Sequence, residues 1–211
     1  MTEQHIRGKL IVLEGGEGVG KDENIRHLEH VCADRADVVF TREPGGTVLG
    51  ERIRSVLMDR TATEMAVETE LLLFLAARAQ LMQEIVRPAL ARGQHVIANR
   101  FGLSTVAYQI YRHERFEHRS LLDELTRHVV GEVVPHYILL DLTPEVGLAR
   151  VRDRAGEVTR FDVEPTELHH RVRRGYHEAV KAYPHVIVDA ARPLAEVQEA
   201  VVKHVLDFMD L

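Results

Sequence analysis

Two patterns of apolar residues alternate along this 211-residue chain. Short runs rich in β-branched residues predict buried parallel strands, whereas longer segments carry an apolar residue at every third or fourth position, which is the period of a helix with one buried face. The predicted strands span 10–13, 38–41, 95–98, 137–142 and 186–188. The predicted helices span 22–32, 50–58, 68–92, 104–111, 121–130, 144–152, 165–182 and 194–209.

The regular alternation of strand and helix predicts an α/β fold in which a parallel sheet of about five strands is covered by helices on both faces. We expect one three-layer domain over residues 1–211, because a chain of this length with 45% hydrophobic residues can enclose a core of its own. Pro88 interrupts the longest helical pattern, so we expect a kink or a restart there and a C-cap at Gly93. In such sheets, ligands bind beyond the carboxyl ends of the strands.

The charge balance and the cysteine content exclude several classes of protein. A net charge of −6, from 27 Lys+Arg and 33 Asp+Glu, gives no basic excess for a nucleic acid or an anionic membrane. The one cysteine, Cys32, has no partner within the chain, and the start MTEQHIRGKL lacks the apolar stretch of a signal peptide. No apolar run reaches the roughly 20 residues that span a bilayer. We therefore expect a cytoplasmic protein with no membrane or nucleic-acid partner.

The segment 14–21, E-G-G-E-G-V-G-K, follows the first predicted strand and matches the phosphate-loop pattern G-x-x-x-x-G-K. Its glycines allow backbone N–H groups to surround phosphate oxygens, the next helix presents its positive dipole end, and Lys21 can reach the β- and γ-phosphates of a nucleotide. A glycine-rich turn before a helix is the alternative interpretation. The residues predicted to bind the phosphates of ATP are Gly15, Gly16, Glu17, Gly18, Val19, Gly20, Lys21, Asp22 and Glu23.

The loop departs from this pattern directly after the lysine, where a Ser or Thr hydroxyl ordinarily binds Mg²⁺. Asp22 and Glu23 stand there instead. Both suit the first turn of a helix electrostatically and can turn aside from the nucleotide. Alternatively, they weaken or abolish ATP binding by repelling its phosphates, unless Asp22 itself becomes a ligand of Mg²⁺, for which a carboxylate oxygen is suitable. The sequence leaves these alternatives open.

Four further motifs follow the phosphate loop. Residues 41–47 read T-R-E-P-G-G-T, residues 74–80 read F-L-A-A-R-A-Q, residues 100–109 read R-F-G-L-S-T-V-A-Y-Q, and residues 150–160 are rich in arginine. Together they resemble the bacterial thymidylate kinases over nearly the whole chain. The resemblance implies transfer of the γ-phosphoryl group of ATP to dTMP, giving dTDP, with Mg²⁺ as cofactor. It also implies a homodimer, and we expect its contact surface on the helix at 68–87.

The resemblance further implies roles for residues of a nucleotide pocket. Phe74 would stack on the pyrimidine, although such a residue taken alone is typical of a helix core, and Arg78 and Thr105 would face the edge of the base. Arg54 and Arg100 would hold the monophosphate, since a guanidinium binds phosphate oxygens in pairs. The full set implied for the substrate is Glu17, Arg42, Glu43, Arg54, Phe74, Arg78, Arg100, Ser104, Thr105, Tyr108 and Gln109.

Residues 150–162 resemble the short lid that supplies catalytic charge in the bacterial family. By that resemblance we expect Arg154 and Arg160, together with Lys21 and Arg100, to stabilise charge on the transferred phosphoryl group. Glu17 aligns with the loop acid that faces the sugar 3′-hydroxyl in this family, which would favour a deoxyribonucleotide.

Asn99 is a second departure, because the family generally has an acid at this position. An amide keeps an oxygen but loses the negative charge that organises Mg²⁺ or its waters. Two other functions therefore stay open. One is a thymidylate-binding homologue with weak or no kinase activity, and the other is a kinase of a modified deoxypyrimidine monophosphate.

Overall fold

A computed structural model describes residues 8–59, 65–153 and 164–210. Five parallel strands form one sheet in the order β2-β3-β1-β4-β5. The strands are β1 (Leu10–Glu14), β2 (Val38–Arg42), β3 (His95–Asn99), β4 (Pro135–Asp141) and β5 (His185–Asp189). The prediction of a parallel sheet of about five strands is confirmed.

Nine α-helices connect and flank the strands within the described residues. They are α1 (Lys21–Val31), α2 (Val48–Met58), α3 (Val67–Leu81), α4 (Arg87–Ala91), α5 (Gly102–Thr105), α6 (Arg119–Val130), α7 (Pro144–Asp153), α8 (Thr166–Val180) and α9 (Leu194–Asp210). No helix in the described part of the chain is long and apolar enough to cross a membrane.

The central strand β1 separates two apolar layers. Its alternate residues enter different layers, because successive side chains of a strand point to opposite faces of the sheet. Leu10 and Val12 join one cluster, which includes residues of α3, α4, α6 and α8. Ile11 and Leu13 join the other, which includes residues of α1 and α9. This arrangement is the three-layer architecture that the alternating sequence pattern predicts.

The order of the strands places one crevice at the carboxyl end of β1. After β1 the chain crosses to β2 at one edge of the sheet, whereas after β3 it crosses to β4 on the other side of β1. Loops that leave β1 and its neighbour β3 therefore diverge, and such a switch point is where open α/β sheets bind ligands. In the register of the sheet, Leu13 lies beside Asn99. The residues that follow these two are thus brought together.

Two predicted helices contain π-helical segments, which is a correction to the sequence analysis. The predicted helix at 68–92 is α3, then a π-helical segment at Met82–Val86, then α4. Pro88 lies in the first turn of α4, which directly follows the π-helical segment, and the backbone stays helical at Val86 and Arg87. In place of the expected kink or restart at Pro88, the structure has a change of helix type before the proline. Gly93 follows α4 with a φ of 81°. The 3.6-residue period of a helix cannot reveal where one extra residue is inserted.

The predicted helix at 104–111 is α5 followed by a π-helical segment at Val106–Tyr111. Helix α8 packs closely on this segment through Gly175, at which an added Cβ would lie 2.8 Å from the Cα of Ala107. The predicted lid is described only at its start. Residues 150–153 are the last turn of α7, whereas Arg154 and Arg160 lie outside the described residues.

Candidate active site

A cavity of about 610 Å³ opens at the carboxyl ends of the strands. It is lined by the phosphate loop, by the residues that follow β2 and β3, and by side chains of α2, α3 and the Val106–Tyr111 segment. Most of the predicted site residues line it, namely Glu17, Gly18, Val19, Gly20, Lys21, Asp22, Glu23, Arg42, Glu43, Arg54, Phe74, Arg100, Ser104, Tyr108 and Gln109. Gly15, Gly16, Arg78 and Thr105 are not among the lining residues.

The phosphate loop is pressed against α7 by a contact between two backbones. Gly18 has a φ of 71°, and an added Cβ there would lie 2.0 Å from the carbonyl oxygen of Gly147. The reverse also holds, because an added Cβ at Gly147 would lie 2.3 Å from the carbonyl oxygen of Glu17. Neither position has room for a side chain. Gly18 stands at one of the variable positions of the G-x-x-x-x-G-K pattern, so the pattern does not require a glycine there, and nothing in the sequence marked Gly147 as its partner.

Lys21 folds back onto the loop that precedes it. Its Nζ donates to the carbonyl oxygens of Gly15 at 3.0 Å and of Gly16 at 2.6 Å. Burial and the nearby charge of Arg100 lower the pKa of Lys21 to about 8, although Glu17 and Asp22 oppose the shift. An anion bound beside this amine would restore its charge, because it would compensate for the burial.

Arg100 lies at the end of β3 and contacts three parts of the site. Its Nη2 donates to Glu17 Oε1 at 3.0 Å. Its Nη1 donates to the carbonyl oxygen of Gly15 at 3.1 Å, to Ser104 Oγ at 3.2 Å and to the Tyr176 hydroxyl at 2.8 Å. The guanidinium thus links the phosphate loop to α8, and this link positions a cation at the cavity wall.

A buried carboxylate holds the backbone on which Arg100 sits. Arg100 has a φ of 68°, which is unusual for a residue other than glycine. Glu14, at the end of β1, accepts hydrogen bonds from Phe101 N at 2.7 Å, from Ser104 N at 3.0 Å and from Ser104 Oγ at 2.7 Å. Burial raises the pKa of Glu14, although Arg100 and these hydrogen bonds oppose the shift.

Sequence reasoning missed both Glu14 and Tyr176. An acid at the end of an otherwise apolar strand was a usable signal for Glu14, because a buried carboxylate needs partners. Tyr176 carried no such signal. Its position was accessible only through the packing of α8, whose Gly175 approaches the π-helical segment.

Glu17 places a stable negative charge inside the cavity. Its Oε1 accepts from Arg100 and from the Tyr108 hydroxyl, the latter at 2.6 Å. Burial by itself would raise the pKa of Glu17, but Arg100, Lys21 and the hydrogen bond from Tyr108 outweigh it and lower the pKa to about 2. An ionised carboxylate of this kind is an acceptor for a ligand hydroxyl.

Arg42 and Arg54 line the cavity together with Arg100. Arg54 Nη1 donates to the carbonyl oxygen of Pro44 at 2.9 Å, and Arg42 forms an ion pair with Glu51 at 3.0 Å. Burial and the like charges of Arg42 and Arg100 lower the pKa of Arg54, although Glu51 and Asp22 oppose the shift. A bound anion would relieve the repulsion. This end of the cavity is therefore suited to a phosphate group.

Arg78 forms a buried ion pair and does not line the cavity. Its Nε donates to Glu43 Oε2 at 2.9 Å and its Nη2 donates to the same oxygen at 2.7 Å. Nη2 also donates to Thr105 Oγ1 at 2.9 Å, and the guanidinium lies 4.8 Å from the Phe101 ring centroid. The Nη1 of Arg78 has no hydrogen-bond partner among the described residues. One donor therefore stays available.

The pocket beside these residues has an aromatic wall and a polar edge. Phe74, on α3, is half-buried and lines the cavity. Gln109 Nε2 donates to the buried carboxylate of Glu70 at 2.6 Å, so the side-chain amide is held in place. An aromatic face with an oriented amide is the arrangement that binds a flat heterocycle.

The two carboxylates of the altered loop have separate partners. Asp22 Oδ1 accepts from Asn99 Nδ2 at 2.7 Å, and Glu23 Oε1 lies 3.2 Å from Arg26 Nη2. The Oδ1 of Asn99 is buried and has no partner among the described residues. No group of three or more His, Cys, Asp or Glu that could hold a metal occurs within the described part of the chain. Mg²⁺ at a phosphate site needs only one or two carboxylates in addition to waters and phosphates, so a pair of hard oxygen donors from Asp22 and Asn99 fits it.

Comparison with known proteins gives consistent matches. Residues 13–201 match the family model described as thymidylate kinase. The chain is 45% identical over 197 residues to the thymidylate kinase of Ectopseudomonas mendocina (strain ymp), with 92% of each chain covered. It is 44% identical over 201 residues to that of Pseudomonas entomophila (strain L48), covering 93% of this chain and 94% of the other. The thymidylate kinase of Legionella pneumophila (strain Corby) is 38% identical over 209 residues, with 97% of each covered.

We expect binding of ATP to be accompanied by proton uptake at Lys21. With a pKa of about 8, this amine is partly neutral at pH 8, and bound phosphates raise its pKa. Uptake should be about half a proton per nucleotide at pH 8 and about a tenth at pH 7, where Lys21 is already charged. Calorimetric titration at pH 8 in buffers of different ionisation enthalpy measures it. Lys21→Arg keeps a permanent charge and should abolish the uptake, and an unchanged uptake in that variant would contradict the assignment.

Proposed function

The chain belongs to the thymidylate kinase family, and we propose that it transfers the γ-phosphoryl group of ATP to dTMP, giving dTDP. The observation that supports this most directly is the arrangement of a single cavity. The phosphate loop with Lys21 forms one part of its wall, and Phe74 lines another. Arg100 also lines this cavity and is hydrogen-bonded to the phosphate loop. A donor phosphate and an acceptor phosphate could therefore meet near one fixed cation.

The donor end supplies charge compensation rather than covalent chemistry. Phosphoryl transfer spreads negative charge over the transferred group, so catalysis depends on positioned cations. Among the described residues we propose Lys21 and Arg100 for this role, and Arg154 and Arg160 stay predictions for the same role. Mg²⁺, when bound, would neutralise phosphate charge, and Asp22 and Asn99 would hold it.

The acceptor end suits a deoxypyrimidine monophosphate. Arg42, Arg54 and Arg100 provide the convergent positive charge for its phosphate. The ionised Glu17 can accept a hydrogen bond from a sugar 3′-hydroxyl. The Nη1 of Arg78 has no partner among the described residues, and a buried donor strongly prefers to be satisfied, so we propose it as the donor to a carbonyl at position 4 of the base. Because Arg78 does not line the cavity, this contact requires the side chain or the cavity wall to shift when the base binds.

A thymidylate-binding homologue without kinase activity is the second candidate. It is favoured by Asp22 and Glu23, because both line the cavity in which the triphosphate would lie. A kinase of a modified deoxypyrimidine monophosphate differs from the first proposal only in the acceptor.

Purified protein with ATP and Mg²⁺ should phosphorylate dTMP in preference to dCMP. The exocyclic amine of cytosine is a donor at position 4, which would leave Arg78 Nη1 unpaired and oppose it with another donor. We expect at least about tenfold higher kcat/KM for dTMP, since leaving a buried polar group unpaired costs on the order of 1 to 3 kcal/mol. A coupled assay over a panel of deoxynucleoside monophosphates, including 5-substituted deoxyuridine monophosphates, measures it. Binding of dTMP without turnover would instead identify the binding homologue.

Phe74→Ala should weaken dTMP binding by about 1 to 3 kcal/mol, which is the usual loss when a base loses its aromatic stacking partner. Isothermal titration with dTMP measures the change. Phe116→Ala is the matched control, because Phe116 is exposed and does not line the cavity. If Phe74→Ala lowers only the melting temperature and leaves dTMP affinity at the level of the control, Phe74 is a core residue.

We also propose a homodimer, although α3 offers a smaller surface than the sequence suggested. Four apolar residues of the predicted contact helix are buried in the core of the chain, namely Leu71, Leu75, Leu81 and Met82. Leu72, Ala76 and Ala79 are exposed and lie on one stripe of the helix, at a spacing of four and three residues. Small residues on such a stripe permit close approach of a second helix.

Analytical ultracentrifugation at micromolar concentration should therefore give twice the mass of one chain. Ala76→Glu should shift the mass towards that of a single chain, because it places two like charges against each other at a two-fold contact. Glu68→Ala, on an exposed position of the same helix, serves as the control. A single-chain mass for the unaltered protein would rule the dimer out.

A further inference from the structure

The two departures from the ordinary phosphate-loop site contact each other. In phosphate-loop enzymes a hydroxyl follows the lysine, and a carboxylate from a strand end completes the Mg²⁺ site. In this chain the carboxylate, Asp22, follows the lysine, and an amide, Asn99, stands at the end of β3. Their side chains are hydrogen-bonded at 2.7 Å although 77 positions separate them along the chain.

We propose that Asp22 and Asn99 form a transposed pair, in which the metal-binding carboxylate has moved from the end of β3 to the first turn of α1. The inference rests on the proposed kinase function, since it concerns the Mg²⁺ that accompanies ATP. It assigns the charged ligand to Asp22. Asn99 positions this carboxylate through Nδ2 and offers its Oδ1, which has no partner among the described residues, as the neutral second donor.

The backbone explains why such an exchange is possible. Leu13 lies beside Asn99 in the sheet, and Arg100 N donates to the carbonyl oxygen of Leu13 at 2.9 Å. The phosphate loop leaves β1 at this level and returns to start α1 at Lys21. The first turn of α1 therefore faces the end of β3. A carboxylate at position 22 on α1 or at position 99 on β3 can therefore lie within hydrogen-bond distance of the same point between these two elements.

The exchange conserves the charge of the pair. A hydroxyl with a carboxylate carries one negative charge, and so does a carboxylate with an amide. Asn99 Nδ2 occupies one oxygen of Asp22 and orients the other, as outer-shell partners of metal ligands commonly do. Glu23 is then the only charge added to the loop, and it lies beside Arg26. The repulsion of triphosphate by Asp22 that the sequence suggested is thus no larger than in an ordinary site.

If Asp22 and Asn99 have exchanged roles, we expect a result that would not be expected if Asp22 had no role in metal binding. Asp22→Ser removes the only carboxylate of the pair, whereas Asp22→Ser combined with Asn99→Asp restores the ordinary arrangement. The second substitution should therefore rescue the first. If Asp22 were merely a favourable residue at a helix start, Asn99→Asp would bring no recovery.

The experiment measures metal binding rather than turnover. Mn²⁺ is titrated into protein with the β,γ-imido analogue of ATP, and free Mn²⁺ is followed by electron paramagnetic resonance. We expect Asp22→Ser and Asp22→Asn each to weaken Mn²⁺ binding at least about tenfold, the usual loss on removing a support of a metal site. The double variant should return to within about threefold of the unaltered protein. Glu29→Gln is the matched control, because it also removes one carboxylate of α1 but from an exposed position that does not line the cavity.

Several results would overturn the pairing. They are no Mn²⁺ binding by the unaltered protein with the analogue, equal binding by Asp22→Asn and the unaltered protein, or a double variant no better than Asp22→Ser. Affinity for dTMP, measured on every variant, shows that each has folded. Absence of phosphoryl transfer to dTMP together with the expected Mn²⁺ pattern would reject the proposed kinase function and leave the pair intact.

Discussion

The placement of one guanidinium, that of Arg100, is the constraint on which the rest of the site depends. It donates to the phosphate loop, to Ser104 and to Tyr176 of α8, so three segments distant in sequence share one cation. Its left-handed backbone is tolerable because Glu14 receives the N–H groups of the turn that follows. Such strain persists only where surrounding contacts determine it fully. The burial of the Glu14 carboxylate and the positive φ of Arg100 are each unfavourable by themselves. Together they direct the Arg100 side chain to the cavity.

The acidic and basic side chains of the cavity influence one another's charge. Glu17 is held ionised by Arg100 and Lys21, whereas burial and the charge of Arg100 lower the pKa of Lys21 to about 8. Arg54 lies near Arg42 and Arg100, whose charges lower its pKa, and the charges of Glu51 and Asp22 oppose this shift. Without nucleotide, the site therefore contains groups that lack adequate counter-charges. Binding of phosphates supplies those charges, so part of the affinity arises from relief of repulsion already present in the protein.

The sequence predicted well whatever depends on local pattern. Every strand of the sheet followed from a β-branched run, and the phosphate loop followed from glycine spacing and Lys21. It could not predict contacts that arise from register and helix packing. The bond between Asp22 and Asn99 needs β3 beside β1, and the bond between Tyr176 and Arg100 needs α8 against the π-helical segment. Arg78 was predicted to face a base, yet most of its donors are used by Glu43 and Thr105. A sequence motif gives the residue types of a site, but it does not show which residues a buried arginine will pair with.

The contact between Gly18 and Gly147 has a mechanical consequence. Side chains between two elements can absorb a shift of one element, because they can change rotamer. Here the peptide of the phosphate loop touches the peptide of α7 directly, with no side chain between them. A shift of α7 towards the loop therefore cannot be absorbed by a change of rotamer, and the loop backbone must follow it. The positions of the phosphate loop and of α7, which ends at Asp153, are thus coupled through backbone alone.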